Sequence, residues 1–173
     1  MTDRPPSETI NLDRYGFDAL PSSRPHDLLE AGPANSRTTW SLATIGRDAR
    51  PNVAGVAIRW HAGDLYFNSG PGTRKARNLA RNPACALSVS LDGLDLVFEG
   101  EASRLDDPEV FEAVLARFRA GGWPAEAEGG RIVGPFSAPS AGPPPWDFYR
   151  FTLRTVFGVA TAEPYGATRW RFG

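Results

Sequence analysis

Residues 70–78 hold the densest set of side chains able to bind an anion: Gly70-Pro71-Gly72, Thr73, Arg74, Lys75, Arg77 and Asn78. They follow the apolar run Leu65-Tyr66-Phe67, so the local reading is a short strand, a tight turn and a short helix. Thr73 stands where it can cap that helix, and the remaining N–H groups of the first turn are free to face an anion. Arg74, Lys75 and Arg77 add full positive charge at the helix pole that is already positive. That placement is costly unless a negative group lies there. Positions 74 and 78 are one turn apart and 75 and 78 stand at i, i+3, which predicts that Arg74, Lys75 and Asn78 converge on one ligand. Lysine offers a point charge, arginine a planar fork and asparagine an amide donor, a set suited to phosphate oxygens. Spacing alone leaves a second reading open, a solvated helix face whose cations pair with carboxylates elsewhere. The turn glycines favour the first, because they let backbone approach a ligand closely.

Other chemistry finds little support. His26 and His61 have no His or Cys companions at ligand spacing, so no metal site is expected. No serine lies in a Gly-x-Ser-x-Gly elbow, and two isolated histidines do not make a triad. Asp106-Asp107 before Pro108 reads as helix N-terminal charge, and neither Gly-x-Gly-x-x-Gly nor a Walker loop occurs. No catalytic residue can be named. Hydride chemistry remains open, since a bound cofactor brings the reactive atom and the protein supplies position.

These side chains need elements to hold them. The chain has 173 residues, 41% hydrophobic and 23% charged, with a net charge of −1, which fits one globular domain and gives no global attraction to nucleic acid or acidic membranes. No run approaches the length of a membrane span and no apolar signal core opens the chain, so a cytoplasmic protein is expected. The single cysteine, Cys85, sits in an apolar run and reads as a buried, inert thiol. Residues 1–36 read as an N-terminal arm with one short helix near 27–30, and residues 37–173 as the domain proper. Strands are expected over 37–45, 52–60, 65–68, 84–90, 94–103, 147–154 and 156–161, and 168–172 alternates large and charged residues. Asp107 followed by Pro108 should start a helix, with Phe111, Val114, Leu115 and Phe118 as its core-facing stripe and Gly121-Gly122 as its end. Residues 121–147 read as one long proline-rich loop, a lid, a subunit contact or a plain surface excursion. Many short strands, tight turns and one amphipathic helix predict a mainly β fold, a closed antiparallel barrel.

Residues 39–44 (Thr-Trp-Ser-Leu-Ala-Thr), Arg50-Pro51 and the run from Lys75 to Pro83 (Lys-Ala-Arg-Asn-Leu-Ala-Arg-Asn-Pro) together resemble the pyridoxamine 5′-phosphate oxidase-like split β-barrel proteins. The closing Thr-Arg-Trp-Arg-Phe of 168–172 is similar to the actinobacterial branch that uses the deazaflavin coenzyme F-420. The Lys-x-x-Asn-Leu-x-x-Asn-Pro signature is the specific part. The resemblance implies a homodimer with cofactor at the subunit interface, either coenzyme F-420 or FMN. It implies that Lys75 and Asn78 hold the flavin phosphate, with Thr73, Arg74 and Arg77 as neighbours and Asn68 and Ser69 lining the same pocket. Residues 53–58 would run beside the ring system. Trp170 matches a terminal aromatic that in some relatives packs near the ring from the other subunit; a core or interface tryptophan is its competing reading. The basic and His residues that true pyridoxamine phosphate oxidases carry near the C-terminus have no match at 167–172, so vitamin B6 oxidation is not expected.

The expected activity is therefore hydride transfer between bound deazaflavin and a small organic substrate, with no nucleic acid or membrane as partner. FMN on the same fold is the runner-up. Two further readings are a non-catalytic flavin- or haem-binding protein and a barrel that has become an interaction module.

Overall fold

A computed structural model describes residues 5–32 and 38–173. In chain order it runs β1 (Glu8–Asn11), α1 (Ser23–Ala31), β2 (Trp40–Ile45), β3 (Pro51–Val56), β4 (Ile58–His61), β5 (Asp64–Ser69) and α2 (Arg74–Leu79). It continues with β6 (Ala84–Leu91), β7 (Leu94–Arg104), α3 (Pro108–Ala120), β8 (Glu126–Glu128), β9 (Arg131–Val133), β10 (Asp147–Ala160) and β11 (Ala167–Arg171). All strand pairs are antiparallel. The ladders form a ring: β2 joins β3, the chain passes through Ala57 into β4, and β4–β5–β10–β7–β6 leads back to β2. This is the antiparallel barrel the turn spacing predicts.

Its inward-facing positions are those dictated by strand alternation. Leu42, Leu65, Phe67, Leu87, Phe98, Phe151, Val156 and Trp170 fill the interior. Each such side chain stabilises the fold by about 1.5–3 kcal/mol relative to exposure. A second cluster lies outside the barrel, where Phe111, Val114, Leu115 and Phe118 of α3 pack with Tyr66, Phe148, Ile132 and Trp146. The Asp107 carboxylate caps α3, accepting from the N–H groups of Glu109 (3.0 Å) and Val110 (3.2 Å).

Four expectations change. The strand expected over 52–60 is two strands, because its first half pairs with β2 and its second with β5; switching neighbours is what closes the barrel. The two strands expected over 147–161 are the single β10, with a bulge between Leu153 and Thr155. Gly100 lies opposite the bulge, and a Cβ there would collide with the Thr152 carbonyl, so the ladder closes only around glycine. The arm is built in at two points: β1 pairs with β11, and α1 is longer than the expected turn of helix. Residues 121–147 are not one irregular loop. They contain the β8–β9 hairpin, turned by Gly129 (φ 58°) and Gly130 (φ 75°), and a 3-10 turn at Pro139–Ala141. Asp147 pairs with Arg131 (2.9 Å) and Arg104 (2.8 Å), fastening the hairpin to β10 and the end of β7.

Candidate functional site

The barrel and the second cluster leave a cavity of about 560 Å³ between them. Gly55, Val56 and Ala57 form one wall, at the point where the strand changes partners. The end of β5 supplies Asn68 and Ser69, and α2 supplies Lys75. Phe118, Gly121 and Gly122 at the end of α3 and Trp123, Phe136, Ser137, Ala138 and Ala141 of the segment between α3 and β10 close the far side. A volume of this size and a mostly apolar lining suit a ring-bearing small molecule.

The phosphate-binding expectations divide at α2. Thr73 accepts a hydrogen bond from the Ala76 N–H (3.2 Å), as a capping residue should, and its hydroxyl lies 2.8 Å from that of Ser69. Lys75 is half-buried, and burial alone pulls its pKa below the usual lysine value; no carboxylate of a described residue pairs with it. Lysine with no counter-charge, sharing the cavity with the Ser69 hydroxyl and the Asn68 amide, is a donor set that fits a phosphate group.

Arg74, Arg77 and Asn78 do not join it. They line a separate, shallow depression with Gly46, Arg47, Asp48 and Arg81. Asn78 is buried and its amide is already used: Nδ2 donates to Thr44 Oγ1 (3.0 Å) and Oδ1 accepts from Arg81 (3.0 Å). The Arg77 guanidinium donates to the Gly72 carbonyl. The convergence of Arg74, Lys75 and Asn78 is thus corrected. Ala76 and Leu79 are buried, which fixes the rotation of α2 and sends Lys75 to the cavity and the others away from it. Trp170 takes the place its competing reading gave it, a core position: it is fully buried in the barrel against Gly158 and does not line the cavity.

Gly70 has a different neighbour from the one expected. A Cβ on it would collide with the Ala141 carbonyl, so this glycine admits the backbone of the 3-10 turn at Pro139–Ala141 to the strand–helix turn. The Asn68 amide and the Ser137 hydroxyl, 3.5 Å apart, mark the same seam. Sequence reading passed over Arg59. Its guanidinium donates to the Ile58 carbonyl (2.9 Å) and the Arg117 carbonyl (3.4 Å) and lies 4.7 Å over the Phe118 ring. Burial lowers its pKa, and no described carboxylate pairs with it. Only strand alternation, which turns Arg59 away from the buried Ile58 and Trp60, hinted at this.

The Cys85 thiol is pushed up to about 12 by burial, which keeps it protonated at neutral pH. Among the described residues no cluster of three His, Cys, Asp or Glu could hold a metal ion, and no helix is long and apolar enough to cross a membrane.

The closed antiparallel ring with its outer α3 cluster is that of a split-barrel protein. A sequence model of the pyridoxamine 5′-phosphate oxidase family matches residues 30–160, well over half of the chain, and the protein belongs to that family. No curated protein matches the chain. Among solved structures, a NimC/NimA family protein from Clostridium acetobutylicum is similar at 18% identity and a TM-score of 0.58, over 87% of this chain and 91% of its own. A heme binding protein from Mycobacterium smegmatis is similar at 15% identity and a TM-score of 0.60, over 87% of this chain and 59% of its own. An F420 reductase is similar at 21% identity and a TM-score of 0.51, over 83% of this chain and 98% of its own. At these identities the likeness is one of fold.

Proposed function

We propose that the protein is an oxidoreductase that binds coenzyme F-420 in the cavity between barrel and second cluster and passes hydride to or from a small organic substrate. The single observation carrying this reading is Lys75, a half-buried cation without a carboxylate partner among the described residues, beside Ser69 in an otherwise largely apolar cavity. The bound group supplies the hydride-exchanging ring. Lys75, Ser69 and Asn68 hold its phosphate, Thr73 supports Ser69 from behind, and Gly55 to Ala57 offer a flat wall of backbone and small side chains beside the ring. Trp123 and Phe136 exclude water from the other side. Arg74, Arg77 and Asn78 act at longer range, Asn78 by bolting α2 to β2 through Thr44.

FMN in the same cavity is the second reading, since the donor set asks for a phosphate and does not choose the ring. The chain would act as a homodimer. What supports this is the outward face of the sheet, where Val53 (63% exposed), Val97 (40%) and Val159 (50%) lie bare. Titrating the purified protein with FMN and with coenzyme F-420, by absorbance and mass spectrometry, separates the cofactors. Turnover with a panel of enones and quinones then separates an enzyme from a protein that only stores its ligand. Binding of neither cofactor would refute the reading, and a monomer in solution that binds flavin with full affinity would refute the need for a homodimer.

A further inference from the structure

A second cavity, of about 450 Å³, lies between α1, β4 and α3, on the other side of Arg59 from the proposed cofactor. Arg59 and Gly121 line both spaces, so the Arg59 guanidinium is part of the partition between them. The groove's apolar wall is Leu29, Trp40, Ile58 and Trp60, with Leu28 and Leu91 at its sides. Its charges are Arg59, Arg117 and Glu30. Glu30 turns one carboxylate oxygen to the Trp60 indole N–H (2.6 Å), so the groove sets two guanidinium groups against one carboxylate. Arg59 is held in place by two backbone carbonyls and the Phe118 ring, and Arg117 pairs with no carboxylate of a described residue. A Cβ on Gly121 would collide with Arg59, so this glycine is what lets the guanidinium lie in the partition.

A half-buried guanidinium loses hydration, and carbonyl oxygens and a ring face replace only part of it. The remaining donors call for an anion, and the groove beside them calls for an apolar body. We propose that this groove is a second binding site, which takes an amphipathic carboxylate with its charged end at Arg59 and Arg117 and its chain or ring along Trp40, Ile58 and Trp60. The proposal stands apart from the cofactor reading, because the two spaces are assayed separately.

Decanoate is the probe, with decanol as its neutral counterpart and acetate as the charge without the chain. Calorimetric titration of the full-length protein should give one saturable decanoate site, with decanol and acetate at least tenfold weaker. Arg59→Gln should weaken decanoate about tenfold or more and leave decanol unchanged. Ala120→Trp fills the groove from an exposed position that does not line the main cavity. It should abolish decanoate binding while melting temperature and uptake of whichever of coenzyme F-420 and FMN the wild type binds stay unchanged. Arg117→Gln, also at an exposed position, is a second check and should weaken decanoate several-fold. The proposal is overturned if decanol binds as tightly as decanoate, if Ala120→Trp binds decanoate normally, or if decanoate is displaced by coenzyme F-420 or FMN. The decanol and Ala120→Trp results are read without any cofactor, so failure here and failure of the cofactor reading are distinguishable.

Discussion

The barrel interior and the cluster under α3 are both well-packed hydrophobic cores, yet they hold the cavity in different ways. The barrel core is knitted by long ladders, and its wall at Gly55 to Ala57 carries only small side chains. The outer cluster is a helix, a three-residue hairpin pair and one 3-10 turn, fastened by Trp146, Asp147 and close backbone contact at Gly70. The side chains that give the cavity its apolar character, Phe118, Trp123 and Phe136, come from this second region. One region therefore sets position and the other sets what fits.

Perturbing each region should reveal that division. Phe98→Ala, in the barrel, should cost about 3–5 kcal/mol and lower the midpoint of a single unfolding transition in denaturant. A separate early transition would mean that the two cores unfold independently. Asp147→Asn removes the carboxylate charge from both of its arginine partners and should cost about 1–3 kcal/mol. Limited proteolysis should then cut residues 134–145 faster, with barrel fragments unchanged. Trp123→Ala should weaken cofactor binding about tenfold, roughly 1.4 kcal/mol, and, because the indole packs on Phe118 and Trp146, should lower the denaturation midpoint by less than Phe98→Ala does.

The effect of pH is smallest near neutrality and grows in alkali. Lys75 holds its proton less tightly when folded than when unfolded, so fold stability rises as pH climbs from the lowered pKa toward 10.5. Affinity for a phosphate-bearing ligand should fall over the same window, because the charge that binds it is lost. Titrations across alkaline pH with wild type and Lys75→Arg check this: the arginine variant should stay flat where the wild type declines.

What the sequence reveals follows how local each signal is. The α3 stripe, its Asp107 cap and most strands are carried by residues within a turn or two of one another, and they appear where expected. The β8–β9 hairpin had a local signal too, Gly129-Gly130, but it was hidden inside a proline-rich stretch with only three residues on each side. The continuity of β10 depends on Gly100 from a different strand, which no local pattern contains. Lys75 and Asn78 share a helix and a motif, yet burial of Ala76 and Leu79 against the barrel sends them to different surroundings. Arg59 resembles every other arginine until Phe118, Ile58 and Arg117 close around it.

The central claim is that the cavity-facing cation, and not the arginine face of the same helix, holds the ligand phosphate. It is tested by FMN and coenzyme F-420 titrations of Lys75→Ala beside Arg77→Ala, with folding checked by circular dichroism. Lys75→Ala should lose at least about tenfold in affinity for the cofactor that binds, a loss of roughly 1.4 kcal/mol or more, while Arg77→Ala should stay within about twofold. Equal losses in the two variants, or unchanged binding in Lys75→Ala, would contradict it.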